Sequence, residues 1–295
     1  GEGCWVTDIE GNKYLDMMGG LWYKSVGYGR KKIADAVFQQ MMTISSAPAN
    51  STTKSTILLS GKIAELYSDH DCRTFFVSGG SEAVETAVKM AKKYQMNSGK
   101  PRAYKIISRR NSYHGSTAMA ASLGRSFSGD PMGPEMIGAI HVANYNAYRP
   151  PIPGNPTPEE ISEWLIDELE HVIIQNDPDT VAAIIAEPVS ASNGIHVPPK
   201  SYWEGLRRIA DKYQVILISD EVIVGFGRLG EWFGAMCFGI QPDITTVAKG
   251  ITSGYAPLGA VIATKKVADS FLGGQKEMFY HLITFGGHPI ATAAA

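Results

Sequence analysis

Lys249 stands in Asp243-Ile-Thr-Thr-Val-Ala-Lys249-Gly250-Ile, where a short β-branched run delivers one lysine into glycine-containing chain. A lysine after a strand is ordinarily a solvated surface residue, so this position proves little by itself. The case comes from what precedes it. Gln214-Val-Ile-Leu-Ile-Ser-Asp220-Glu221-Val222 places a carboxylate at the end of another buried-strand pattern. Phe75-Phe-Val-Ser-Gly79-Gly80-Ser81-Glu82 makes a small-residue turn between a strand and a helix. An amine that attacks carbonyls, a buried carboxylate in need of a cationic partner and a turn that cradles an anion belong together in one kind of site.

Those are the parts needed to hold and use pyridoxal phosphate. Each has a plainer reading. At Gly79-Gly80-Ser81, free amides and the positive end of a helix attract phosphate, yet a serine cap after a glycine turn is the commoner fate of such a tripeptide. No Gly-Lys-Ser/Thr follows, so it is not the ATP-binding loop. Asp220 suits a protonated pyridine nitrogen, and equally a helix cap or a salt bridge. Glu221, adjacent on the strand, points to the other face and reads as structural. Tyr113 in Tyr113-His114-Gly115 can stack on a flat ring or lie on the surface, and Val222 can pack beneath such a ring or fill core.

The elements that must position these residues alternate. Cys4 to Asp8 and Lys13 to Asp16 flank Gly11-Asn12 as a small hairpin. Helical patterns cover residues 32–41, 57–67, 82–94, 161–176 and 199–213, with Ala83, Ala87, Met90 and Ala91 spaced for one buried face. Apolar runs at 73–77, 104–108, 181–187, 215–219, 244–248 and 258–263 read as strands buried on both faces. This predicts an α/β fold with a mostly parallel central sheet and helices on both sides. In such a sheet ligands bind beyond the carboxyl ends of the strands. Gly79-Gly80-Ser81, Tyr113, Glu187, Asp220 and Lys249 all fall at those ends. The stretch 126–158, rich in Pro, Gly and Asn, reads as a long excursion.

Composition excludes several alternatives. With 295 residues, 44% hydrophobic and 19% charged, the chain is an ordinary globular sequence. A net charge of −2 argues for neither nucleic acid nor an anionic membrane, and no apolar run reaches the ~18 residues of a membrane span. Cys4, Cys72 and Cys237 are widely spaced, which suits a reducing compartment, here the cytoplasm, and no His or Cys pairing suggests a metal. Gly225-Phe-Gly227-Arg-Leu-Gly230 matches the dinucleotide fingerprint, with Asp243 as the candidate ribose acid. The context fails, because Asp243 begins a strand instead of ending one and Glu231-Trp-Phe-Gly is a poor helix start. Both chain ends read as cut, so an internal portion of a longer polypeptide is expected.

Taken in order, the motifs resemble the class III pyridoxal-phosphate-dependent aminotransferases, the family of ω-amino-acid–pyruvate, ornithine and 4-aminobutyrate transaminases. The similarity starts at Gly11-Asn-Lys-Tyr-Leu-Asp16 and Gly20-Leu-Trp-Tyr-Lys-Ser-Val-Gly-Tyr-Gly-Arg30. It continues through Ser-Gly-Gly-Ser-Glu-Ala83, Tyr-His-Gly115, Ala-Glu-Pro-Val189, Asp-Glu-Val222, Gly-Phe-Gly-Arg228 and Ala-Lys-Gly250 to Thr284-Phe-Gly-Gly-His-Pro289. The resemblance implies a fold-type I transferase working as a homodimer. Lys249 would carry the cofactor as a Schiff base and then move the proton, with Asp220 on the pyridine nitrogen. Tyr113 and Val222 would sandwich the ring, Gly80 and Ser81 would bind phosphate, and Gly79 would shape the turn. Glu187 would lie near the ring oxygen and substrate, and Thr284 would reach the neighbouring subunit's phosphate. Trp22 and Tyr23 match positions lining the substrate pocket in the pyruvate-using branch.

The chain departs from the family at Ser78-Gly79-Gly80-Ser81, where Asn-Ser-Gly-Ser/Thr is usual, and at His281-Leu-Ile-Thr284, where His-Gly-Phe-Thr is frequent. The organisation implied is an N-terminal segment, 1–45, belonging to the small domain and pocket, and a large cofactor domain, 46–295, with the C-terminal small domain absent. Expected partners are a small-molecule amine, a 2-oxo acid such as pyruvate and a second copy of the chain. An aminomutase, racemase or decarboxylase would share Lys249 and Asp220. A regulatory protein that keeps the fold without turnover is the competing class, against which the intact lysine, aspartate and phosphate turn argue.

Overall fold

The computed structural model describes residues 1–48, 50–124 and 135–295. The chain opens on β1 (Trp5–Thr7) and β2 (Lys13–Leu15), an antiparallel pair with Trp5 opposite Leu15. Asp8 closes the turn by accepting the amides of Glu10 and Asn12, each at 2.9 Å. A kinked turn, α1 (Gly19–Trp22), leads to α2 (Lys31–Thr43) and α3 (Lys54–Leu66).

The alternating part follows: β3 (Arg73–Val77), α4 (Gly80–Asn97), β4 (Lys105–Arg109), α5 (Ala118–Ser122), β5 (Ala139–Val142), α6 (Pro158–Gln175), β6 (Val181–Ala186), α7 (Lys200–Tyr213) and β7 (Ile216–Asp220). It ends with α8 (Gly234–Cys237), β8 (Ile244–Val247), β9 (Gly259–Ala263), α9 (Lys265–Asp269) and α10 (Pro289–Ala294). Seven strands form one sheet in the order β3-β9-β8-β7-β6-β4-β5. Only β9 runs against the others, pairing antiparallel with β3 and with β8. The carboxyl ends of β3, β4, β6, β7 and β8 therefore share one edge.

Alternation along the strands builds core on both faces of the sheet. Ile106, Ile185, Ile216 and Ile218 face a layer that includes Ala83, Ala87 and Ala91 of α4. Their neighbours Ile107, Ile184 and Leu217 face Ile161, Leu165 and Leu169 of α6 and Trp203 and Leu206 of α7. Successive side chains point to opposite faces, so a strand covered on both sides must be apolar throughout. Burying each such side chain stabilises the fold by about 1.5–3 kcal/mol. The helix α6 starts at a capping box: Thr157 Oγ1 accepts the Glu160 amide at 3.2 Å, and Glu160 Oε2 accepts the Thr157 amide at 2.7 Å.

The stretch 126–158 is not all excursion. Residues 125–134 lie outside the described residues, but β5 adds a parallel edge strand to β4. Four residues, most of them half-buried, are too short and too mixed to read as a strand from sequence. The dinucleotide-like Gly225–Gly230 stretch is a series of turns, not a strand-to-helix crossing. Asp243 is occupied structurally, accepting the Leu217 amide at 2.9 Å and pairing with Arg207 at 2.9 Å and Lys266 at 3.3 Å.

Candidate active site

A cavity of about 350 Å³ opens at the shared strand edge, within the size range of small-molecule sites. Gly80 and Ser81 enter it from the start of α4, Tyr113 from beyond β4, Glu187 from beyond β6, Asp220 and Val222 from the end of β7, and Lys249 from beyond β8. Trp22 reaches it from the N-terminal segment, its ring centroid 5.7 Å from Lys249 Nζ. Residues from Gly80 to Lys249 thus meet because parallel strands end together, and Trp22 joins them from outside the sheet.

Asp220 forms the buried floor. Its Oδ1 accepts the Val222 amide and the Thr246 hydroxyl, both at 3.1 Å, and its Oδ2 accepts from His114 Nδ1 at 2.7 Å. His114 is buried, and its Nε2 lies 4.0 Å from Glu187 Oε2. Burial favours the neutral imidazole, but Glu187 and Asp220 on either side outweigh it and raise its proton affinity above the ordinary value. Glu187 is in turn gripped by the buried guanidinium of Arg109, which also donates to the Glu187 carbonyl at 2.8 Å. Burial alone would raise the Glu187 carboxyl, yet Arg109 and His114 hold it below the usual range. The floor alternates acidic and basic side chains: Asp220, His114, Glu187, Arg109.

Lys249 sits with φ 44° in a one-turn helical segment after β8. Burial lowers its proton affinity, with the Asp220 charge pulling the other way. An uncharged, nucleophilic amine is therefore more accessible near neutral pH than in a solvated lysine. At the phosphate-like turn, a Cβ on Gly80 would come within 2.9 Å of Val222 Cγ1. Ser81 Oγ accepts the Ser116 amide at 3.0 Å, which fixes the hydroxyl beside Gly115.

Three expected residues stand elsewhere. Gly79 caps α4 behind the turn in extended backbone. Tyr23 is turned away from the cavity, its ring packed where a Cβ on Gly20 or Gly254 would fall within 2.3 Å. Thr284 is exposed, outside the cavity of its own chain. Two residues without an expected role complete the site. Arg109 carries the same signal that singles out Asp220, a charged side chain closing an apolar strand, while His114 lies in the loop beyond it, and partner choice is what sequence does not state. Glu221, read as structural, accepts the amides of Gly234 and Ala235 on the far side of β7.

A family model described as aminotransferase class-III matches residues 1–295. The putrescine–pyruvate aminotransferase of Pseudomonas aeruginosa is 38% identical over 297 residues, covering 100% of this chain and 64% of that protein. Among solved structures, an (S)-enantioselective ω-transaminase from Thermomicrobium roseum superposes with a TM-score of 0.92 at 40% identity, covering 100% of this chain and 65% of its own. An amine transaminase from an uncultivated Pseudomonas species, in a PLP-bound form, gives 0.94 at 36% identity, covering 100% and 67%. The chain spans just under two thirds of the length of the curated relative it matches.

Proposed function

The chain belongs to the class III aminotransferases, and from that premise we propose that the full-length protein moves an amino group from an amine or ω-amino acid to a 2-oxo acid, with pyruvate as acceptor. The observation that carries the reading is one cavity lined by a half-buried lysine, a strand-end aspartate and a glycine-serine turn at a helix start. The pyruvate assignment rests on the Gly20-Leu-Trp-Tyr23 stretch and on similarity to an enzyme named for putrescine and pyruvate.

Pyridoxal phosphate is the cofactor, and the residues fit it. The glycine-serine turn at the positive end of α4, opening on the cavity, suits a phosphate. The buried Asp220 suits a protonated ring nitrogen, and Tyr113 and Val222 offer an aromatic and an aliphatic wall. Bound there, the cofactor supplies an electron sink and a carbonyl for the lysine amine. Lys249 would be the residue to hold it, through Nζ, and that same amine could accept and return a proton beside the substrate. Asp220 would favour a protonated ring nitrogen, and His114 fixes the Asp220 carboxylate by the 2.7 Å bond. Glu187, held anionic by Arg109, lines the cavity wall and would bound the ring and substrate there. Trp22 shuts water out above Lys249 and bounds the amine, and Tyr23 supports that wall from behind.

Residues 1–45 serve as the N-terminal part of the small domain and pocket, and 46–295 as the large cofactor domain, completed by a C-terminal small domain. We infer a homodimer in which Thr284 reaches the phosphate in the neighbouring subunit. Its exposure beside Tyr280, Leu282 and Phe285, also exposed, supports this. No helix among the described residues is long and apolar enough to cross a membrane, and three unpaired cysteines fit a cytoplasmic enzyme.

The test uses full-length protein supplied with pyridoxal phosphate. A visible absorption band should form, be bleached by an amino donor and return with pyruvate. Lys249→Ala should lose both the band and turnover, by at least about a thousandfold for removal of the nucleophile. Folded wild-type protein that develops no band would sink the proposal.

A further inference from the structure

Residues 19–30 reach the cavity from outside the seven-stranded sheet, and loops of the large domain hold them there. The Tyr255 hydroxyl donates to the Gly27 carbonyl at 2.8 Å and accepts the Arg30 amide at 2.8 Å. Ser253 Oγ accepts the Val26 amide at 3.0 Å, and Arg228 donates to the Trp22 carbonyl at 3.2 Å. Lys24 Nζ lies 4.3 Å from the centroid of the Tyr255 ring and 4.7 Å from that of Tyr28, a cation shared between the loop and the segment. Tyr28 in turn donates to Asp16 at 2.8 Å, and Asp16 takes the Gly20 amide at 2.6 Å. The Tyr23 ring fills the notch between Gly20 and Gly254.

What this latch holds is strained. Trp22 has φ 58°, a left-handed conformation that a bulky side chain leaves unless its surroundings impose it. Ser253, with φ 51°, and Lys249, with φ 44°, lie on the loop facing it. A released Trp22 would relax its backbone and carry its ring away from Lys249 Nζ, now 5.7 Å distant. The wall of the cavity and the loop behind the lysine are thus tied by a few side-chain bonds centred on one tyrosine.

We propose that Tyr255, backed by Ser253 and Lys24, is a positioning residue that holds Trp22 over Lys249 and so sets how large an amine the cavity accepts. This rests on the transaminase reading and adds a determinant of specificity that does not itself line the cavity.

The experiment compares full-length wild type, Tyr255→Phe, Ser253→Ala, Trp22→Gly and the double variant Tyr255→Phe/Trp22→Gly, all with pyridoxal phosphate. Hydrogen exchange should quicken across residues 22–30 in Tyr255→Phe by roughly threefold to tenfold, the worth of a lost hydrogen bond, with α4 and the sheet unchanged. The ratio of kcat/KM for the bulkiest against the smallest accepted amine should rise about tenfold, while the visible band persists. Ser253→Ala should shift both readouts the same way. In the Trp22→Gly background, Tyr255→Phe should leave the ratio where it is, since the wall it positions is gone. Unchanged exchange in residues 22–30 would overturn the latch, and faster exchange with an unchanged ratio would reduce it to a structural tie. Wild-type protein that forms the band yet transfers no amino group would fail at the transaminase reading and overturn the specificity role with it.

Discussion

Burial moves the proton affinities of Lys249 and Glu221 in opposite directions, because it penalises whichever form carries charge. For Lys249 burial shifts the balance toward the neutral amine, with the Asp220 charge opposing it. For Glu221 the neutral acid is favoured, and the carboxyl is pushed up to about 7. A carboxyl raised on folding binds more protons in the native state than in the unfolded chain between its ordinary value of 4.5 and about 7. Stability therefore falls as pH rises through that window. Glu221→Gln removes the charge and keeps one of the two oxygens that accept the Gly234 and Ala235 amides. Denaturant unfolding should find the stability of this variant relative to wild type rising by roughly 3 kcal/mol from below the window to above it. An equal advantage at every pH would refute the electrostatic account.

At the scale of elements, the candidate phosphate turn depends on how closely β9 approaches it. A Cβ on Gly259 would stand 2.6 Å from the Gly79 carbonyl oxygen, a contact with backbone that cannot swing aside. Gly259→Ala should push the start of α4 into the cavity. Titration with pyridoxal phosphate should show about tenfold weaker binding, equivalent to 1.4 kcal/mol, and unfolding should show a loss of about 1–3 kcal/mol from overpacking. Unaltered affinity would mean that the turn is placed by α4 alone. The neighbourhood of β9 and the turn was not legible in sequence. The strand pattern at 258–263 was plain, but an apolar strand does not state its neighbours or its direction, and β9 is the strand that runs against the rest.

For the whole molecule, the proposed homodimer makes a distinct prediction about Thr284. It is exposed and outside the cavity of its own chain, so a monomeric site predicts no effect of Thr284→Ala on cofactor binding. A shared site predicts about tenfold weaker binding, the worth of one hydrogen bond to a charged phosphate. Sedimentation of the full-length variant should still show the dimer, so the loss reads as a missing contact and not as dissociation.

Sequence by itself determined the strand-and-helix alternation, the two-sided burial of the sheet and the set of residues at strand ends, because side-chain period and turn chemistry are local properties. Lys249, Asp220 and Gly80-Ser81 were legible for that reason, and so was Glu221 as a residue of the opposite face. Only the tertiary structure decided partners. It joined His114 to Asp220, gave Glu187 to Arg109 and turned Tyr23 from the cavity into the latch against Gly254. Each pairing satisfies a buried or crowded group by means of a residue distant in the chain. The cost of an unpaired charge requires that a partner exist, while the crossing of elements in space selects which one it is.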